Sequence, residues 1–203
     1  MTNTPITRLP SKPRRRLNAA ERKENLLQGA QEIIRDRGLE GLTMESLAAH
    51  VGVNKALPYR HFGNRDDVLI ALYKYENEQF DARLAALIDD AQDFEAKLRA
   101  LLTAWYDDLC QGRGTPALMQ ARTQSHELET LRAARIQTST EYIADIIQES
   151  YEIPRLQAKL ASKVLLAGSQ GLASIWQLSE AEDQALIDSF ISMSIGAVEA
   201  LTR

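Results

Sequence analysis

Between residues 43 and 64 the chain offers three helix-start residues, Thr43, Asn54 and Asn64, with Gly52 between the first two. A segment that must begin helices so often can hold only short helices and tight turns. Thr43 has the side-chain oxygen that an N-cap needs, and Glu45 follows in the first turn, where the helix dipole favours an anion. Leu47, Ala48 and Val51 then supply an apolar face, Gly52 ends the helix, and Asn54 opens the next one two residues later.

The flanking chain extends the same pattern. Asn18 and Glu21 have the spacing of a capping box, and Leu26, Ala30, Ile33, Ile34 and Arg37 keep helical spacing as far as Gly38, a suitable C′ glycine. These residues predict a helix over about 19–37. Asn64, with Asp66 and Asp67 behind it, opens a long helix to about Asp90. Further helices are expected near 93–111, 116–124, 127–151, 155–177 and 180–201, their starts marked by Asp93, Thr115-Pro116, Pro154 and Ser179. Ser179 and Glu182 form another capping box. No alternating run has strand composition, and no repeat of solenoid period is evident. The predicted fold is all-α, with about nine helices. We divide it into a flexible basic arm (1–17, with Pro5, Pro10, Pro13 and Arg14–Arg16), a three-helix unit (18–64) and a helical body (65–203).

Charge is distributed unevenly over that division. Residues 1–65 hold 12 Lys and Arg against 6 Asp and Glu, whereas residues 66–203 hold 12 against 22. A basic third on an acidic body points to a polyanion partner for that third alone. The single cysteine, Cys110, excludes an internal disulfide framework and suits a reducing compartment. Its place inside a helix reads as a buried, inert thiol. No uninterrupted apolar run reaches membrane-spanning length, and the N-terminus lacks the apolar stretch of a secretory signal. The expected location is cytoplasmic, with no membrane partner.

Ala48 stands four residues before Gly52. A small residue there lets two helices approach, and glycine takes a left-handed turn at little steric cost. This is the spacing of a helix-turn-helix, although any helical corner could share it. Pro58 complicates the second helix. With Asn54 as N-cap, proline falls at the fourth helical position, where it removes a hydrogen bond and crowds the preceding residue. The expected outcome is a distorted first turn, or a helix that starts near Leu57 with Pro58 at its first position.

The stretch 41–73 resembles the DNA-binding domain of the TetR family of transcriptional regulators. The resemblance lies in Leu42-Thr43, in Ala48-x-x-x-Gly52-Val53, in Tyr59-x-His61-Phe62, and in Asn64-Arg65-Asp66-Asp67. It implies that Thr43 presents its hydroxyl and helix start to a phosphate, and that Asn54, Lys55, Ala56 and Leu57 face base edges. Lys55 suits a guanine, while Ala56 and Leu57 suit thymine methyls. Tyr59, His61 and Arg65 would hold phosphates, Arg60 could serve either way, and Phe62 would pack in the core. His50 reads as a solvent-facing helix residue.

The last two predicted helices are apolar on more than one face, more than a monomer of this size can cover. Leu160, Val164, Gly168, Leu172, Ile187, Ile191, Ile195 and Val198 are the expected homodimer interface, in agreement with the family. The middle helices should enclose an effector cavity if the resemblance extends so far. Trp105, Tyr106, Met119, Tyr142 and Trp176 are its candidate walls, and Arg122, Gln120 or His126 its candidate polar anchors. The implied function is a dimeric, ligand-responsive regulator: a repressor on a palindromic operator in double-stranded DNA, released by a small, largely apolar effector. The alternative is a DNA-binding protein of the same fold whose body binds a protein partner. No nucleophile–base pair, metal-ligand cluster, phosphate loop or cofactor motif is apparent, so an enzyme, a metal site and a cofactor are not expected.

Overall fold

Asn18 opens the first helix with a reciprocal cap. Its Oδ1 accepts from the Glu21 amide at 2.9 Å, and the Glu21 carboxylate accepts from the Asn18 amide at 2.7 Å. The computed structural model describes residues 18–110, 118, 125–176 and 183–202. Among these, eight α-helices follow one another: α1 (Ala19–Arg37), α2 (Met44–Val51), α3 (Ala56–His61), α4 (Arg65–Ile88), α5 (Phe94–Cys110), α6 (His126–Ser150), α7 (Arg155–Trp176) and α8 (Asp183–Glu199). Short 3₁₀ turns lie at Leu39–Gly41 and Ala200–Thr202. No strand occurs among the described residues. The arm, the expected 116–124 helix apart from Leu118, and the Ser179–Glu182 cap fall outside them.

Two cores form. The first gathers Leu26, Ala30 and Ile33 of α1, Met44 and Leu47 of α2, and Val68, Leu69, Leu72 and Tyr73 of α4, with Phe62, Leu118 and Leu128. The second gathers Phe94, Leu98 and Leu102 of α5, Ile143 and Ile147 of α6, Ala158 and Leu165 of α7, and Ile187, Ile191 and Val198 of α8. Helix α4 reaches both. Its first half lies in the first core, and Ile88 at its end packs against the second. A displacement of α4 is therefore felt by both cores, because packed interiors transmit strain.

One expectation needs correction, and one stretch needs notice. Cys110, the last residue of α5, is exposed rather than buried, because it ends its helix instead of sitting within it. Residues Gln184–Thr202, most of α8 and the 3₁₀ turn after it, are long and apolar enough, by length and composition alone, to cross a membrane. Asp188 and Glu199 interrupt the run and hide it from a search for continuous apolar residues. Only 22% of that window is buried in this chain. Its inner face belongs to the second core and its outer face is bare.

Candidate nucleic-acid interface and cavity

The turn between α2 and α3 is built as the sequence spacing requires. Gly52 takes the left-handed conformation (φ 70°, ψ 39°), and the Val53 amide donates to the Ala48 carbonyl at 2.9 Å. Ala48 is buried. The tighter approach is elsewhere, between Gly29 of α1 and Val51 of α2. A Cβ placed on Gly29 would meet Val51 Cγ2 at 2.4 Å.

Asn54 resolves the proline problem, though in a different register from the expected one. Its Oδ1 accepts from the Ala56 amide at 2.9 Å, and its carbonyl accepts from the Leu57 amide at 2.9 Å. Helix α3 starts at Ala56, so Pro58 is its third residue, not its first or fourth. The first three amides of a helix have no intrahelical acceptor. Here two are satisfied by Asn54, and proline stands where the third would be missing a partner. The first turn closes with an i→i+3 bond, and Lys55 at the N-cap makes no side-chain cap.

The predicted DNA-facing residues separate into two groups. Lys55, Ala56, Tyr59 and Arg60 are exposed, and Ala56, Tyr59 and Arg60 share one face of α3 by their spacing. Thr43 is exposed too, but its Oγ1 accepts from the Ser46 amide at 3.0 Å as the cap of α2. The Tyr59 hydroxyl donates to Glu45 Oε1 at 3.1 Å. The second group turns inward. Leu57 packs against the first core and His61 is half-buried beside the buried Phe62, while Asn54 stays exposed and serves the turn. Arg65 donates from Nε to the Leu42 carbonyl and from Nη2 to the Leu39 carbonyl, both at 2.8 Å. It ties the start of α4 to the turn before α2. His50 is exposed and its Nε2 lies 2.6 Å from Glu32 Oε2.

In the body, α4 to α8 line a partly open cavity of about 570 Å³. Its apolar wall comprises Phe80, Leu98, Leu101, Leu102, Trp105, Ile136, Ile143, Leu165, Leu166 and Phe190. Asn77, Asp108, Arg135, Thr140, Lys163, Ser169 and Gln170 add polar groups. Asp108 is buried and pairs with Arg83 of α4. Arg135 meets Asp81 of α4 through two hydrogen bonds, at 2.9 and 2.6 Å, and its guanidinium carbon lies 5.6 Å from the Phe80 ring centroid.

Of the predicted cavity residues, Trp105 is a wall. Tyr106 packs against the second core, Tyr142 is exposed, and neither lines the cavity. Met119, Gln120, Arg122 and the Trp176 side chain lie outside the described residues. His126 is exposed at the first position of α6. The charged groups Arg135, Lys163 and Asp108 escaped sequence reasoning, because each looks like a solvated helix position until three helices are brought together. No group of three or more His, Cys, Asp or Glu among the described residues is placed to hold a metal ion.

The expected interface residues also divide. Leu160 and Val164 are each 58% exposed, in line with Leu156, Ile175 and, on α8, Met193, which are exposed as well. Leu172, Ile187, Ile191 and Val198 are buried inside this chain, Ile195 packs against the second core, and Gly168 faces this chain's own Phe190 ring. Both stripes of α8 are apolar, and the fold uses the Ile187–Ile191–Val198 stripe for itself.

Residues 26–72 match the family model described as bacterial regulatory proteins, tetR family. The HTH-type transcriptional activator FasR of Mycolicibacterium smegmatis is 23% identical over 163 residues, 79% of this chain and 74% of that protein. The nucleoid occlusion factor SlmA of Edwardsiella ictaluri is 26% identical over 168 residues, 78% of this chain and 84% of that protein. Among solved structures, AibR in complex with isovaleryl coenzyme A and operator DNA has a TM-score of 0.68 at 20% identity, covering 85% of this chain and 97% of that one. The helix-turn-helix lies inside the matched segment, so residues 26–72 form a DNA-binding domain of the tetR family of bacterial regulatory proteins, set in a chain that shares the all-α fold of those solved structures.

Proposed function

We propose that the protein acts as a homodimer that binds a palindromic operator and releases it when a small amphipathic effector enters the body. One observation carries this reading: α4 lines the cavity of about 570 Å³ with Asn77 and Phe80 while its first half forms part of the core beneath the helix-turn-helix. An effector that prefers a shifted α4 lowers DNA affinity by that same preference. The exposed stripe of Leu156, Leu160, Val164, Ile175 and Met193 favours a second copy as its cover. A dimer built there would set two α3 helices about 34–36 Å apart, one turn of B-DNA.

In this reading Lys55, Ala56 and Arg60 face base edges, and Thr43 and Tyr59 meet phosphates. Leu57, Asn54, His61 and Arg65 hold α3 and α4 in place. The mostly apolar cavity fits an effector that is itself largely apolar, and the AibR complex offers an example of an acyl thioester bound in this fold. Selection of bound sequences from random duplex DNA, with and without a library of lipophilic ligands, tests the proposal. Enrichment of a palindrome that one ligand class releases is the expected result. A palindrome indifferent to every ligand would instead favour a protein partner for the body, and no enriched site would overturn the reading.

A further inference from the structure

Two residues that line the cavity, Arg135 and Asp108, are ion-paired to the same helix, and the pairs differ in what it would take to break them. Asp81 and Arg83 of α4 pair with Arg135 of α6 and Asp108 of α5. The Asp108 side chain is 1% exposed, so withdrawing Arg83 would leave a carboxylate stranded away from water, which is severely unfavourable. The Asp81 side chain is 54% exposed. Released from Arg135 it would simply be rehydrated, and an exposed pair of this kind holds weakly. Arg135 itself is 23% exposed, lines the cavity and lies against Phe80. It is a guanidinium with an apolar chamber on one side and a weakly bound carboxylate on the other.

We infer that Arg135 is the anion anchor of the cavity, and that it exchanges Asp81 for the carboxylate or other anionic end of an apolar ligand. This rests on the cavity being the effector site. An anion entering a chamber of this composition needs a charged partner, and the planar fork of arginine meets a carboxylate with two hydrogen bonds. Lys163 also lines the cavity, but it is exposed and presents a strongly hydrated point charge. The exchange removes a tie between α4 and α6 and leaves the Arg83–Asp108 tie between α4 and α5. Ligand chemistry thereby reaches the helix that supports the DNA-binding unit.

The test compares decanoate with decan-1-ol, equal in chain and different in charge, by calorimetric titration of the full-length protein. Decanoate is expected to bind about tenfold more tightly than the alcohol. Arg135→Gln should abolish that preference while alcohol binding persists, and Lys163→Gln should retain it. Asp81→Asn should strengthen decanoate binding severalfold and leave the alcohol unchanged, because the competitor is gone. Should Arg135→Gln fail to fold, Arg135→Lys serves instead, and the preference should fall without vanishing. Equal binding of the two probes to the native protein would overturn the anchor and leave the cavity reading intact. So would a preference that survives Arg135→Gln, or an Asp81→Asn variant no tighter than the native protein. Failure of both probes to bind would overturn the cavity reading along with the anchor.

Discussion

The Tyr59 hydroxyl on the exposed face of α3 donates a hydrogen bond to Glu45 Oε1, in the first turn of α2, at 3.1 Å. That bond raises the phenol above its ordinary value, about 10. The sign follows directly: the contribution of the pair to stability is complete below the ordinary value and is lost as pH rises through the raised one. If Tyr59 meets a phosphate in the complex, it must leave Glu45, whose carboxylate would then stand near the DNA backbone and repel it. Glu45→Gln should bring the Tyr59 titration back toward the ordinary value and tighten operator binding about two- to fivefold at low salt. Ultraviolet titration and fluorescence anisotropy measure the two effects. Unchanged or weaker DNA binding would mean that Tyr59 keeps Glu45 in the complex.

Arg65 offers a choice between phosphate contact and architecture. Two of its donors are engaged by the Leu39 and Leu42 carbonyls, and hydrogen bonds from a charged group are worth more than neutral ones. Arg65→Gln should therefore cost about 2 kcal/mol in urea unfolding while leaving the salt dependence of DNA affinity unchanged. A phosphate contact would reveal itself differently, by flattening the salt slope.

Gly29 is where α1 and α2 touch most closely. Alanine is the better helix former by about 1 kcal/mol, but its methyl would lie 2.4 Å from Val51 Cγ2. Valine has little rotamer freedom with which to yield. Overpacking of this kind costs about 1–3 kcal/mol, so Gly29→Ala should destabilise the protein on balance. Gly171, with nothing near its added Cβ, is the control: alanine there should raise the melting temperature.

What the sequence disclosed here was what neighbouring residues decide among themselves. The caps at Asn18, Thr43 and Asn64 all formed, since a cap involves only the next turn, and Gly52 took the left-handed turn that its spacing with Ala48 requires. Pro58 was misplaced in register because α3 starts one residue later than an Asn54 cap implies, with Asn54 bonding the Ala56 amide through its side chain and the Leu57 amide through its carbonyl. The cavity charges were not legible. Arg135, Lys163 and Asp108 come from three helices, and nothing local distinguishes an arginine facing a chamber from one facing water. Nor could hydropathy choose between the two stripes of α8. That choice was made by the second core as a whole, which buries Ile187 and Ile191 and leaves Met193 exposed.

Glu141 joins α6 to α7 through Lys159 at 2.7 Å and Arg155 at 2.5 Å. The hydrogen bonds from Lys159 and then Arg155 hold its carboxyl below the usual glutamate range. A lowered carboxyl stabilises the fold above its unfolded value, about 4.3, and loses that effect as pH falls through the folded value. Glu141→Gln should lower the melting temperature at neutral pH, and the difference from the native protein should shrink as pH falls below that range. A difference that persists undiminished in acid would assign the effect to packing rather than charge.

The last prediction separates the face left to a partner from the face the chain keeps. Leu160 and Val164 stand on α7 more than half exposed, whereas Ile191 of α8 is buried in the second core. A glutamate at an exposed position adds charge to a surface that water already reaches, so Leu160→Glu should leave the melting of the monomer nearly untouched. At a dimer interface the same charge would be buried without a counter-ion, which association cannot tolerate. Sedimentation should therefore report a monomer, and operator affinity should collapse, because one α3 helix reads only half of a palindrome. Ile191→Glu is the contrast: it strands a charge inside the chain's own core and should unfold the body outright. If Leu160→Glu remains a dimer with full DNA affinity, the second copy sits elsewhere, and the exposed stripe on α7 and α8 belongs to another partner.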